Sequence, residues 1–318
     1  WYSQISRGKR MIVTYVRSSS YNNYDYCQMQ YFITYALGHR SISGKKAQLG
    51  TIVHKVMECL AACKKELQDT GKKTKLSITD DALGEINFTQ KKLYTKKFVK
   101  ELLDASYQYY TENCTHNYTG ADMRFCSGLV DDALLYNDGQ FDPRERNVVA
   151  SEPQFDIPIE EDWAKYKYKM PDGKVVEGQL AIKGTIDLVT EVDDGVIEVI
   201  DWKTGRRLNW ATGEEKTYEK LLEDPQLLLY NYAISKLFPD YEQAIMSIFF
   251  IRDGGPFSMC FDKSDQKKFL GMLETRFKQI QHNEYPRPIS STRTNFKCTK
   301  LCHFYKNNWP GTNVSMCE

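Results

Sequence analysis

The sequence predicts a mixed α/β domain, and three observations support that fold class. β-Branched and apolar residues flank Asp193-Asp194-Gly195 on both sides, the pattern of two antiparallel strands joined by a tight turn. Further strand-like runs lie on either side of this hairpin, and helical patterns occupy both ends of the chain. With 318 residues, the chain is long enough to bury a sizeable core.

The net charge and the number of cysteines exclude some functional classes of protein. The net charge of +1 argues against a protein that coats nucleic acid through bulk charge, although local patches could still bind it. No stretch approaches the roughly 20 apolar residues of a membrane span, so we expect no membrane partner. We see no export signal and expect a cytoplasmic location. Nine cysteines cannot all pair, which favours metal binding or buried thiols over disulfides.

The N-terminal part predicts a short extended segment followed by helices. Residues 11–16 indicate a strand or lead-in, and Tyr24, Cys27, Tyr31 and Tyr35 then recur at helical spacing after a serine-rich cap. This stripe can be a core-facing helix face on which Cys27 is simply a buried thiol.

A second predicted helix starts near Lys45 and carries His54 and Glu58 on one face. A lone helical histidine is more often structural than a ligand. Gly50, one turn before His54, would let another backbone or a ligand approach that face.

A third predicted helix, over residues 91–104, has a basic side with aromatic residues between the lysines. Such a charge run is more often a solvated face than a nucleic-acid contact. Cys114, His116 and Cys126 lack recognised metal-site spacing, and we interpret them as structural.

From Asn147 onward the pattern predicts strands, with a hairpin around residues 171–173 that leads towards Asp187. Asp224-Pro225 predicts the start of a helix. A strand over 243–251, a return strand to Phe261 and a last helix over 264–282 complete the predicted core.

The central hairpin also carries candidate chemistry. Asp187 is predicted on its first strand, and Asp201 and Lys203 lie two residues apart on the second strand, so their side chains share a face. Carboxylate oxygens suit a hard divalent cation such as Mg²⁺ or Mn²⁺, and a nearby lysine can assist a metal-bound water. This pattern indicates hydrolytic metal chemistry. A solvated Asp–Lys pair on a surface hairpin is the simpler alternative.

Four separated segments together resemble the PD-(D/E)xK nuclease superfamily, specifically its RecB-like exonuclease branch. In chain order they are Gly50-Thr-Ile-Val-His54, Gly184-Thr-Ile-Asp187, Val199-Ile-Asp201-Trp-Lys203-Thr-Gly205 and Gln226-Leu-Leu-Leu-Tyr230. The resemblance implies one nuclease domain with a restriction-endonuclease-like core, a central mixed sheet flanked by helices. Residues 1–146 would form a helical N-terminal part, 147–282 the catalytic core, and 283–318 a cysteine-bearing tail packed against the N-terminal part.

The resemblance also implies roles for individual residues. Asp187, Asp201, His54 and the Ile200 carbonyl would bind the catalytic Mg²⁺ or Mn²⁺ ion. Lys203 would stabilise the attacking hydroxide or the transition state, where negative charge grows on the phosphate. Gln226 and Tyr230 would position the DNA backbone.

Some members of this branch, including CRISPR-adaptation nucleases and AddB-like proteins, hold an iron–sulfur cluster through one cysteine before the nuclease core and three after it. The corresponding residues here are Cys27, Cys298, Cys302 and Cys317, which would match a [4Fe-4S] cluster. The spacing differs, because those members usually have a tighter Cys-x-x-Cys closely followed by the last cysteine. Zinc, with His303 replacing one cysteine, or plain thiols therefore remain open.

The resemblance implies a metal-dependent DNA exonuclease that acts on single-stranded ends in recombination, repair, phage DNA metabolism or CRISPR adaptation. Its setting would be a bacterial, archaeal or phage-infected cell, with a helicase, recombinase or CRISPR-adaptation protein as possible partner. One alternative is a non-catalytic nucleic-acid-binding module that supports such a partner. A restriction-type or structure-specific endonuclease is another, because it would share the same triad.

Overall fold

A computed structural model describes residues 11–39, 44–112, 114, 116–170, 172–208, 213–289, 295–305 and 316–317. Its helices are α1 (Ser18–Tyr26), α2 (Gln28–Tyr31), α3 (Lys45–Thr70), α4 (Gln90–Leu93), α5 (Lys96–Glu112), α6 (Gly120–Leu135), α7 (Tyr218–Leu222), α8 (Pro225–Leu237) and α9 (Lys263–Gln281). Its strands are β1 (Tyr15–Val16), β2 (Leu76–Asp80), β3 (Gly84–Phe88), β4 (Asn147–Ser151), β5 (Gln154–Pro158), β6 (Lys165–Lys169), β7 (Val175–Gln179), β8 (Ala181–Thr185), β9 (Leu188–Asp193), β10 (Val196–Lys203), β11 (Gln243–Phe250) and β12 (Gly255–Phe261). Short π-helical turns cover Phe32–Ala36 and Lys297–Leu301, and 3-10 turns cover Tyr136–Gly139, Pro143–Glu145 and Asp162–Ala164.

The centre of the molecule is a five-stranded mixed sheet in the order β12-β11-β10-β9-β4. Strands β10 and β11 run parallel, and the other neighbours are antiparallel. One core lies between this sheet and α3, α5 and α6, and another lies between the sheet and α8 and α9. The predicted mixed α/β class, with a central mixed sheet between helices, is confirmed.

Strand β10 shows how the sheet separates the two cores. Ile197 and Val199 belong to the core beneath α8, whereas Ile200 and Trp202 belong to the core beneath α3. Because strand side chains alternate between faces, Asp201 and Lys203 lie on the α8 side. The predicted turn is present as well, with Gly195 in the left-handed region at φ 71°.

A second, three-stranded sheet has the order β1-β8-β5. The chain leaves its middle strand, β8, at Thr185 and enters the five-stranded sheet at Leu188. Asp187 therefore lies in the link between the sheets, just before the hairpin, and the prediction that the first hairpin strand carries it is wrong by one position. The link brings both sheets to the same site.

Two predicted helices are interrupted. Cys27 adopts an extended conformation (φ −165°, ψ 112°) between α1 and α2, because it caps α2 while its side chain packs with the C-terminal tail. The predicted basic helix divides into α4 and α5 at Thr95, whose hydroxyl accepts the Phe98 N–H at 3.2 Å and begins a new helix. The hairpin of β2 and β3 and the helix α6 were not predicted.

A third, smaller core joins the two ends of the chain, as residues 27–33 pack against residues 298–305 and 316–317. The predicted division of the chain into parts at residues 146 and 282 stays a prediction. Within the described part of the chain, every helix is too short or too polar to cross a bilayer.

Candidate active site

The link residue Asp187 is held by the edge of the central sheet. Strand β9 begins at Leu188, opposite Ile200, so it stops short of Trp202. The Trp202 N–H donates instead to Asp187 Oδ2 at 2.9 Å. His54 Nδ1 of α3 lies 3.4 Å from the same oxygen. Helix α3 and the sheet edge thus fix one carboxylate from two sides.

Asp201 and Lys203 form the second half of the site. Lys203 Nζ lies 2.6 Å from Asp201 Oδ2, and Asp201 is only 2% exposed. The Gln226 side chain bridges the pair, because its Nε2 donates to Asp201 Oδ1 at 2.9 Å and its Oε1 accepts from Lys203 Nζ at 3.1 Å. The simpler alternative of a solvated surface pair does not fit this burial.

Gln226 is itself positioned by the start of α8. The Asp224 side chain accepts the Gln226 backbone N–H, and Pro225 occupies the first turn. One turn later, the Tyr230 hydroxyl accepts a hydrogen bond from Gln226 Nε2 at 3.0 Å and donates to the Thr185 carbonyl at 2.9 Å. A chain of hydrogen bonds therefore connects β10, α8 and β8.

Two glycines of the motifs allow close approaches that a side chain would block. A Cβ at Gly184 would lie 2.5 Å from the ring of Phe155, its cross-strand partner, and that ring packs edge-on against Tyr230. A Cβ at Gly50 would lie 2.6 Å from Thr204 Oγ1, directly after Lys203. Gly50 thus lets α3 approach the end of β10, as expected from its spacing to His54.

The electrostatics of the site follow from burial and close charges. Burial raises the pKa of Asp201, and Lys203 opposes this only in part. Burial would also raise the pKa of Asp187, but His54, Lys203 and the Trp202 N–H together hold that pKa below its ordinary value. Burial disfavours the charged forms of His54 and Lys203, yet the two carboxylates raise both pKa values.

The donor set fits a hard divalent cation. Asp201 Oδ2 is buried and accepts no hydrogen bond of good geometry from the described residues, although Lys203 is close. The donors are an imidazole and carboxylates, and Ile200 lies next to Asp201 on β10. Among the described residues, no three His, Cys, Asp or Glu side chains already surround one point in a ligating arrangement.

A second charged cluster lies behind His54. Lys55 Nζ is 2.5 Å from Glu58 Oε2 and 3.0 Å from Asp80 Oδ2. Glu152 is in contact with Glu58, and its backbone N–H donates to the Asp187 carbonyl at 3.1 Å. Sequence reasoning placed Glu58 on the His54 face but missed the other three. Glu152, in the left-handed region at φ 45°, carries no sequence signal that predicts this conformation.

The four cysteines singled out from the sequence belong to one packed cluster. Cys27, Cys298 and Cys302 are buried together with Met29, Ile33 and Phe304, and Cys317 packs against them. A hydrogen bond from the Cys317 thiol lowers the pKa of Cys302 to about 7, against the effect of burial. His303 packs against the Phe304 ring. Cys126 is buried elsewhere, with its thiol 3.7 Å from the Leu49 carbonyl, in agreement with a structural role.

The central mixed sheet between helices is consistent with the fold of a PD-(D/E)XK nuclease. A sequence profile of the PD-(D/E)XK nuclease superfamily matches residues 18–304, which include the four segments around His54, Asp187, Asp201 and Gln226. The chain belongs to this superfamily, and this membership implies nuclease activity. A comparison with curated proteins found no match.

Similar solved structures include the "Putative exonuclease" from Eubacterium rectale, with 9% identity and a TM-score of 0.47 over 90% of this chain and 87% of that one. Another is SSO0001, with 16% identity and a TM-score of 0.27 over 72% of this chain and 88% of that one. Both TM-scores are below 0.5, so family membership depends on the match over residues 18–304.

Proposed function

We propose that this protein is a Mg²⁺- or Mn²⁺-dependent deoxyribonuclease that degrades DNA from single-stranded ends. The observation that carries the proposal is the convergence of His54, Asp187, Asp201, Lys203 and Gln226 from α3, two strand ends and α8. Asp187 raises the pKa of Asp201, because two carboxylates that share one site are costly to ionise without a counter-charge. A cation together with Lys203 would supply that counter-charge.

His54, Asp187, Asp201 and the Ile200 carbonyl would hold the ion. When bound, the ion supplies a Lewis acid that activates water and stabilises charge on the phosphodiester. Lys203 keeps its proton at neutral pH because the carboxylates raise its pKa. Its ammonium can therefore stabilise the negative charge that develops on the attacked phosphate.

The contacts of Gln226 and Tyr230 indicate a role within the protein in addition to the contact with DNA that the motifs imply. Tyr230 is 5% exposed, and its hydroxyl is engaged by Gln226 and Thr185. We infer that Tyr230 positions Gln226, and that Gln226 sets the orientation of Asp201 and Lys203. Contact of either residue with the DNA backbone stays a prediction.

The cysteine cluster supports a further part of the proposal, a [4Fe-4S] cluster bound by Cys27, Cys298, Cys302 and Cys317. Four thiolates match its ligand requirement, and the four cysteine side chains already lie in one small core. The alternative is a zinc site in which His303, next to Cys302 in the sequence, replaces one cysteine. Metal analysis separates the two, since a cluster gives about four irons per chain and broad absorbance near 400 nm, whereas zinc gives neither.

We place the protein in the RecB-like branch, in a bacterial, archaeal or phage-infected cytoplasm, with a helicase, recombinase or CRISPR-adaptation protein as partner. The four motifs in order and the cysteine pattern support this assignment. Recombination, phage DNA metabolism and CRISPR adaptation are the processes that would use it.

The decisive experiment is an assay on end-labelled linear and circular DNA, single- and double-stranded, with Mg²⁺ or Mn²⁺. We expect progressive shortening of linear single strands and no cleavage of circles. Cleavage of circular DNA would show that the protein is an endonuclease and not an exonuclease. If no DNA substrate is cleaved with either Mg²⁺ or Mn²⁺, the proposal is wrong. His54→Ala should lower activity in a way that excess Mn²⁺ partly restores, because added metal offsets weaker binding by mass action.

A further inference from the structure

A surface of exposed lysines lies at the far end of α3 from the active site. The segment from Lys64 to Lys100 contains ten lysines and only five acidic residues, while the whole chain has a net charge of +1. Six of these lysines are exposed and form no ion pair with any residue that the structure describes. We call them the lysine patch: Lys72, Lys73, Lys75, Lys91, Lys96 and Lys97.

The fold brings the patch together from the loop after α3, the start of α4 and the start of α5. Helix α5 follows α4 after two intervening residues, where the Thr95 N–H donates to the Lys92 carbonyl at 3.0 Å. The Gln90 N–H donates to the Lys73 carbonyl at 2.8 Å, which places the loop after α3 beside the start of α4. Leu76 pairs with Phe88 at the open end of the β2 and β3 hairpin, next to Lys75. The sequence alone presents these lysines as separate runs.

The acidic residues of the segment do not neutralise this surface. Glu66 lies in the last turn of α3 and leaves an excess of lysines there, and Asp69 is paired with Lys65. Asp80 lies at the opposite end of the hairpin, where it contacts Lys55. Asp81 and Glu85 are at that same turn end. The charge of the hairpin is therefore divided, with its acidic end near His54 and its basic end away from it.

An exposed aromatic residue, Tyr94, lies between α4 and α5, close in the sequence to the lysines of the patch. Tyr94 is 39% exposed, its hydroxyl donates to the Arg144 carbonyl at 2.9 Å, and Lys64 Nζ lies 3.3 Å from that hydroxyl. A fixed, half-exposed aromatic ring beside lysines is the combination that single-stranded nucleic acid binds, through phosphate contacts and base stacking.

The patch lies within reach of a strand held at the active site. His54 and Thr70 are sixteen residues apart in α3, which corresponds to about 24 Å at the helical rise. At a rise of about 3.4 Å per nucleotide, this is roughly seven nucleotides.

We propose that the lysine patch binds the backbone of the substrate strand several nucleotides away from the scissile phosphate. This inference depends on the proposed nuclease function. The patch would supply affinity and retention on the strand but no chemistry, because its lysines are far from Lys203. Its contribution should therefore appear in binding and in KM and be absent from kcat.

The test compares K72Q/K73Q/K91Q with K174Q/K263Q/K267Q. The control triple removes the same charge at exposed lysines on other elements, and these lysines form no ion pair with a described residue. Binding of fluorescent 30-nucleotide single-stranded DNA is measured by anisotropy without divalent metal, so it does not depend on cleavage. At about 0.1 M salt we expect the patch triple to raise Kd at least about tenfold and to lower the slope of log Kd against log salt by about 2, since each lost phosphate contact removes roughly 0.7.

The control triple should change Kd less than threefold, and kcat of the patch triple should equal that of the wild type. An unchanged Kd in the patch triple, or an equal loss in both triples, would overturn the proposal. If the patch triple binds DNA more weakly but the wild-type protein cleaves no DNA, the patch proposal stands and the proposed nuclease function is wrong. The two failures are therefore distinguishable.

Discussion

The acidic site and the cysteine cluster are built in opposite ways. Asp187, Asp201 and Lys203 are held by neighbouring strands and helices of the main core, and hydrogen bonds to protein groups already orient them. The cysteines come from the two ends of the chain and meet in a small apolar core. The comparison predicts that the main core sets the geometry of the acidic site, while the junction of the chain ends is the part whose stability responds most to a metal bound by the thiols.

The largest expected effect is on catalysis at the preformed site. Lys203→Ala should lower the cleavage rate about 100- to 1000-fold, because it removes the fixed positive charge beside the attacked phosphate. It also leaves Asp201 buried without its cation, so some loss of stability accompanies it. The measurement is single-turnover cleavage of end-labelled DNA at saturating protein.

Lys203→Met is the matched control for packing, since it keeps the length of the side chain without the charge. It should be as inactive as the alanine variant. Retention of more than a tenth of the wild-type rate in either variant, at equal DNA affinity, would remove Lys203 from the chemistry.

The next effect concerns the cysteine cluster. Cys298→Ser should abolish the colour of anaerobically purified protein and lower the melting temperature by at least about 5 °C, or about 2 kcal/mol, because it unlinks the chain ends. Cys260→Ser is the control, since Cys260 is exposed and lies outside the cluster. Colourless wild-type protein with no bound metal would leave the four residues as ordinary thiols.

A smaller effect comes from the charged cluster behind His54. Burial raises the pKa of Glu58 from 4.5 to about 7, against the effect of Lys55. The folded state therefore holds this proton more tightly than the unfolded state, and stability from this group is lost as pH rises from about 4.5 to 7. We expect the free energy of unfolding to fall by on the order of 2 kcal/mol across this window, given the partial exposure of the side chain.

Denaturant unfolding at pH 4.5, 5.5 and 7 measures this dependence. Glu58→Gln should flatten it, because the glutamine has no proton to release. An equally steep loss of stability in the variant would assign the pH dependence to other groups.

The smallest predicted effect is at Gly184. Gly184→Ala should destabilise the fold by about 1 kcal/mol, because its Cβ forces the Phe155 ring away from Tyr230, while reduced freedom of the unfolded chain offsets part of the cost. Cleavage should also slow, as Tyr230 positions Gln226. The double variant Gly184→Ala/Phe155→Leu should recover part of both losses, and purely additive effects would contradict the packing explanation.

The sequence was informative where local rules decide the structure. The hairpin turn at Gly195, the helix start at Pro225 and the shared face of Asp201 and Lys203 follow from turn chemistry, capping and strand alternation. The sequence predicts Asp187 on the first hairpin strand, whereas it lies in the link before that strand. The link between β8 and β9 is too short to show a change in the alternation of polar and apolar residues.

Tertiary contacts account for the remaining differences. The break at Cys27 depends on residues nearly three hundred positions later in the chain, and no local pattern encodes it. The left-handed backbone of Glu152 is likewise imposed by its neighbours. For Gly50 the sequence predicts a close approach but not its partner, Thr204. For Gly184 it predicts neither the close approach nor the Phe155 ring that makes it.

The backbone amide proton of Trp202 can serve as a spectroscopic reporter of the site, because it donates a hydrogen bond to Asp187. This amide lacks the backbone acceptor that a longer β9 would provide, so its exchange rate and chemical shift depend on the charge of one carboxylate. Any cation or proton that takes up Asp187 Oδ2 will alter that signal. Occupancy of the active site can thus be followed at a buried tryptophan, in the absence of substrate and independently of turnover.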